Sequence, residues 1–188
     1  DEQATLLWAL DFNVNPMSSV VAQLVDGKVR VLDEIVLTRA STRDACEEFV
    51  RRYPRWQAGL AIYADACASH LQTAGTTDRE ILESFFAEQD GPAPSFRIPK
   101  RNPPVRDRVG LVNAKLRSAE GVVSLMVHPR CKELVADFER VQWMEGTNEI
   151  DKARDPRRTH LSDALGYLIW EEFQTRQTVG ERNTRLFW

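Results

Sequence analysis

The sequence predicts a single α/β domain on a mixed sheet, three antiparallel strands followed by parallel ones, with helices flanking it. Three observations carry that expectation. Leu6 to Leu10 is an uninterrupted apolar run that ends in Asp11 and is broken by Asn13, Asn15 and Pro16. Such a run suits a strand buried on both faces, although periodicity alone also allows a buried helix segment. Two β-branched-rich runs, Ser18 to Val25 and Val29 to Leu37, are joined by Asp26-Gly27-Lys28, a strong hairpin signal. Further on, a helical stretch leads into the short apolar run Leu60 to Ala64. Strand, helix, strand is a crossover unit, so this strand is expected to lie parallel to the first.

The helices announce themselves by their caps. Ser41 and Asp44 resemble a capping box ahead of Ala45, Cys46, Phe49, Val50 and Tyr53, and Pro54 stops that helix. Thr77 and Glu80 repeat the pattern before Ile81, Leu82, Phe85 and Phe86. Gly91 to Pro94 reads as a loop and Ser95 to Ile98 as a short fifth strand. Val105, Val109, Val112 and Leu116 mark a third helix whose basic groups would face solvent. Glu120-Gly121 and Val122 to Val127 suggest a small appended hairpin, and Leu134, Val135 and Phe138 another short helix. Glu145 to Arg158 is polar and irregular. Thr159 is a plausible N-cap for the last long helix, with Leu161, Ala164, Leu165, Leu168 and Phe173 as its buried stripe. These elements place the domain at residues 1–176 and leave 177–188 as a tail.

Composition excludes more than it identifies. At 188 residues the chain can bury a sizeable core without disulfides or structural metals. A net charge of −3 argues for no partner, so any nucleic-acid footprint must be local. Cys46, Cys67 and Cys131 are odd in number and widely spaced, which indicates neither a zinc site nor a disulfide framework and suits a reducing compartment. No apolar run approaches the roughly 20 residues of a membrane span, and no signal peptide opens the chain. A local anomaly stands out from Arg97 to Arg117. There Arg97, Lys100, Arg101, Arg106, Arg108, Lys115 and Arg117 face a single acid, Asp107. A second basic group, Lys152, Arg154, Arg157 and Arg158, closes the irregular stretch. Each is either a solvated face or a contact to a phosphate backbone.

The chemistry gathers on three carboxylates. Asp11 and Asp65 each end an apolar strand, at matching ends of what should be neighbouring parallel strands, where open α/β sheets gather their ligands. Asp163 lies in the first turn of the last helix, where the dipole favours a charged carboxylate, with His160 three residues before it. Read singly, each aspartate is equally a cap or turn residue. Read together, they form a set that hard divalent cations favour. Two such ions about 3.5–4 Å apart can clamp the attacking and leaving oxygens of a phosphodiester.

These residues carry a resemblance. Asp11-Phe12-Asn13-Val14-Asn15-Pro16, Ile62-Tyr63-Ala64-Asp65 and Thr159-His160-Leu161-Ser162-Asp163-Ala164-Leu165-Gly166-Tyr167 together resemble the nuclease domain of tailed-phage large terminase subunits, over about residues 5 to 175. The resemblance implies an RNase H-like fold and a metal-dependent DNA endonuclease that cuts concatemeric viral DNA during genome packaging. It implies that Asp11, Asp65 and Asp163 bind two Mg²⁺ or Mn²⁺ ions, with His160 beside them. It further implies double-stranded DNA as substrate, and the two basic runs then offer Lys100, Arg101, Arg106, Arg108, Lys115, Lys152, Arg157 and Arg158 to hold its backbone. Other implied partners are an ATPase motor domain in the full-length chain, a portal and a small terminase subunit. The implied setting is the cytoplasm of an infected or prophage-carrying bacterium. The chain starts at Asp1 and carries no Gly-x-x-x-x-Gly-Lys-Ser/Thr loop for ATP phosphates, which points to a nuclease domain from a longer protein. Two rival readings are a junction resolvase or transposase-like nuclease on the same fold, and a non-catalytic DNA- or portal-binding module.

Overall fold

A computed structural model describes residues 1–13, 15–69, 75–147, 149–151, 155 and 158–174. Strands β1 (Leu6–Asp11), β2 (Met17–Val25) and β3 (Lys28–Leu37) form the antiparallel meander that the hairpin signal foretold. Asp26 and Gly27 both take positive φ (52° and 72°), as a tight two-residue hairpin turn demands. Helix α1 (Thr42–Arg52) then carries the chain over to β4 (Leu60–Tyr63), which pairs parallel with β1. After α2 (Asp78–Ala87), β5 (Ser95–Arg97) adds parallel to β4. The remaining elements are α3 (Val105–Leu116), β6 (Leu125–Val127), α4 (Lys132–Arg140) and α5 (His160–Phe173). The sheet runs β5-β4-β1-β2-β3-β6.

β1 is buried on both faces because it lies in the middle of the sheet. Leu7 and Ala9 enter the layer built with α3, α4 and α5, alongside Val112, Leu134, Leu161, Leu165 and Leu168. Leu6, Trp8 and Leu10 enter the opposite layer with Phe49 of α1 and Leu82, Phe85 and Phe86 of α2. Trp8 stacks on Phe49 with ring centroids 4.4 Å apart. Both capping boxes form, with Ser41 and Thr77 accepting from the third amide of their helices.

Two expectations need correction. Leu125–Val127 is no part of an appended hairpin. It joins the main sheet as an edge strand parallel to β3, because Leu125 completes the core layer against Cys131 and Leu134. Glu34 of β3 secures that corner by accepting the Glu133 and Leu134 amides (2.9 and 2.8 Å) at the start of α4. The inward face of α3 also differs from the valine stripe. Val105 is exposed, whereas Arg108 is buried together with Val112. The residues 108, 111, 112 and 115 follow helical spacing as well as the valines do, and α5 supplies the countercharge and aromatic faces that let long basic stems turn inward.

Among the described residues no helix is long and apolar enough to cross a membrane. The expected tail, 177–188, lies outside the described residues.

Candidate active site

Register brings the first two aspartates level. Ala9 of β1 pairs with Tyr63 of β4, and Asp11 and Asp65 each follow two residues later. Asp11 closes β1 opposite Ser18, and its Oδ2 accepts from Asn13 Nδ2 at 2.7 Å. Asp65 leads into a 3₁₀ turn, Ala66–Ser69, whose first amide donates to Asn102 Oδ1 at 2.7 Å. Asp65 Oδ1 is buried and has no hydrogen-bond partner. A lone carboxylate oxygen without a donor is costly to bury. Cys67, in the same turn, has its thiol pushed up by burial and then by Asp65 and Asp11.

The start of α5 brings the third group. His160 Nδ1 lies 2.8 Å from Asp11 Oδ2 and 3.1 Å from Asn13 Nδ2. An ionised carboxylate only accepts, so the pairing selects the ring form with its proton on Nδ1. His160 thus turns to Asp11, although Asp163 is its neighbour along the helix. Asp163 is held by Arg108, whose Nη2 donates to Oδ1 at 2.7 Å and whose Nη1 donates to the Asp163 carbonyl at 2.8 Å. The Arg108 guanidinium also lies 4.4 Å from the Tyr167 ring centroid. Burial, aided by Asp163, Asp65 and Asp11, raises the Tyr167 phenol, against a lowering by Arg108. All three carboxylates therefore act electrostatically on one buried hydroxyl.

Thr159 holds the N-cap position of α5 as expected, but its side chain does not do the capping. It takes a left-handed φ of 84° and makes no side-chain cap bond. Asp137 of α4 replaces it, accepting the Ser162 amide at 3.2 Å. Burial raises the Asp137 carboxyl, while the Ser162 amide and Arg158 pull it down. Asp137→Ala is expected to cost about 0.5–2 kcal/mol, the range for a lost cap, read from urea unfolding. An unmoved midpoint would show that α5 starts without this cap.

Among the described residues, no group of three or more His, Cys, Asp or Glu side chains is gathered closely enough to hold a metal ion. His160 and Asn13 occupy Asp11, and Arg108 occupies Asp163. The donor chemistry nevertheless suits a hard cation, with Asp65 Oδ1 buried and unsatisfied beside the Asp11 strand end.

No family model matches the sequence, and no curated protein does. Solved structures do match. The nuclease domain of the bacteriophage SPP1 large terminase, solved with bound Mn, aligns over 90% of this chain and 87% of its own, with a TM-score of 0.57 and 15% identity. The P22 large-terminase nuclease domain aligns over 92% of this chain and 81% of its own, at TM-score 0.60 and 11% identity. The chain has the fold of large-terminase nuclease domains. It spans 39% of the large terminase of a thermophilic bacteriophage, over 89% of its own length, at TM-score 0.61 and 14% identity. The RNase H-like expectation for the fold is met by this likeness and by the mixed sheet.

On this terminase-type fold the expected DNA-contacting cations divide. Lys100, Arg101 and Arg106 are exposed on the approach to α3 and its first turn. Arg108 is a correction: only 4% exposed, it belongs to the interior and cannot lie on a solvent face. Lys115 also turns inward, its Nζ 3.8 Å from the Phe173 ring centroid. Arg158 is engaged by Glu133 and Asp137, so it is a half-buried clamp rather than a loop cation. Lys152 and Arg157 lie outside the described residues. The sequence reading assigned Arg108 to DNA rather than to Asp163, and it missed Asn13, Asn102 and Asp137 as site residues. Only Arg108 had a signal, its place with Leu111, Val112 and Lys115 on one helical stripe.

Proposed function

We propose that this domain is a divalent-metal-dependent DNA endonuclease that cuts concatemeric viral DNA during genome packaging. The observation that carries the reading is the level placement of Asp11 and Asp65 at the carboxyl ends of adjacent parallel strands, with α5 bringing His160 onto Asp11. Asp11, Asp65 and Asp163 would hold two Mg²⁺ or Mn²⁺ ions. When bound, such ions activate water and neutralise the charge that develops on the phosphodiester oxygens.

The chain's own residues have separate tasks. Asp11 fixes the orientation of the His160 ring through Nδ1 and so places the imidazole beside the proposed metal site. Asn13 steadies the same Asp11 oxygen. Asn102 ties down the turn that bears Asp65. Lys100, Arg101 and Arg106 would meet the DNA backbone without reading sequence. In a full-length chain, an ATPase motor domain, a portal and a small terminase subunit would be the partners.

The purified domain is expected to nick or linearise plasmid DNA in Mg²⁺ or Mn²⁺ and to fall silent in EDTA. Cleavage that survives the chelator would remove the metal mechanism. DNA binding without cleavage in Mn²⁺ would instead identify a non-catalytic binding module.

A further inference from the structure

We propose that Arg108 is the positioning residue for Asp163, and that Asp163, Gly166 and Tyr167 of α5 form a socket for its guanidinium. The proposal rests on reading Asp163 as a metal-binding carboxylate. Three features of α5 converge on one side chain of α3. Asp163 takes two guanidinium nitrogens, one on its carboxylate and one on its own carbonyl, so its side-chain torsions are tied to its backbone. Tyr167, four residues on, covers the cation with its ring. Gly166 makes the room. A Cβ there would meet Arg108 Nη1 at 2.8 Å, Cγ at 3.0 Å and Cδ at 3.1 Å.

Each of these choices is costly for a merely structural contact. Glycine is among the poorest helix formers, yet Gly166 sits inside a 14-residue helix. Arg108 Nε is buried without a partner. Apolar residues of similar volume commonly pack such a place at no loss of stability. Rules broken together at one side chain mark a functional demand. The demand met here is orientation. A planar fork holds a carboxylate in one geometry, as a point-charge ammonium cannot. Removing a group that orients a metal's ligand typically costs about 10–100-fold in metal affinity or activity.

The test compares the parent domain with Arg108→Gln, Arg108→Lys and Gly166→Ala. Mn²⁺ binding is read by electron paramagnetic resonance, cleavage of plasmid DNA as kcat and KM, and folded fraction by thermal unfolding. Arg108→Gln is expected to weaken Mn²⁺ binding or kcat by about 10–100-fold per folded molecule, with KM for DNA and its salt dependence unchanged. Arg108→Lys should recover part of the loss. Gly166→Ala should reproduce it with both charges still present, which keeps the proposal testable even if Arg108→Gln does not fold. A raised KM with a flattened salt dependence would make Arg108 a phosphate contact and overturn the proposal. So would tighter Mn²⁺ binding in Arg108→Gln, or folded variants with parental Mn²⁺ binding and kcat. A parent that binds Mn²⁺ no better than Asp163→Asn overturns the reading beneath it, and the proposal with it.

Discussion

Asp163→Ala is expected to lower the free energy of unfolding by about 3–5 kcal/mol, the range for breaking a buried ion pair by removing one partner. Clustered carboxylates ordinarily repel one another, and deleting one relieves the metal-free protein. By that logic Asp163→Ala would be neutral or mildly stabilising. The tertiary structure reverses the sign. Arg108 and Asp163 side chains are 5% and 7% exposed, so the substitution strands a guanidinium in the interior. Asp11→Ala has no such consequence, since the groups it leaves, Asn13 and His160, are only partly buried and can turn to water. Chemical unfolding of the two variants side by side decides the matter. Equal midpoints would mean that water reaches Arg108 and that the pair contributes little. The same comparison bears on activity assays, because an inactive Asp163→Ala protein could be an unfolded one.

Asp11→Ala is accordingly the cleaner test of the proposed chemistry. Cleavage is expected to fall by at least about 10³-fold, as when a member of a concerted catalytic set is lost, with the fold retained. The reason is placement: Asp11 ends the central strand, stands level with Asp65, and receives both Asn13 and His160. His160→Ala should cost less, about 10–100-fold, because the ring acts through Asp11 or as a neutral donor beside hard carboxylates. Plasmid cleavage under single-turnover conditions reads both. Near-parental turnover in Asp11→Ala would place the chemistry on other acids.

Local chemistry, legible in the sequence, determined the elements. The apolar run Leu6 to Leu10, the Asp26-Gly27 turn, and the capping boxes at Ser41 and Thr77 each specify structure through contacts within a few residues. The right-handed crossover rule then made β4 parallel to β1 and set Asp11 and Asp65 at one end of the sheet. Tertiary structure alone decided the rest, because the deciding contacts span long stretches of chain. Whether Arg108 faced solvent or core depended on a carboxylate 55 residues away. The cap of α5 came from Asp137, 25 residues before Ser162, and not from the adjacent Thr159. Leu125 to Val127 became an edge strand because β3 presented an unpaired ladder beside it. A helical period shows that one face is buried, but the choice between a valine stripe and an arginine stripe rests with the element packed against it. Here that element is α5, which carries the acid, the glycine and the aromatic ring that an inward-facing guanidinium requires.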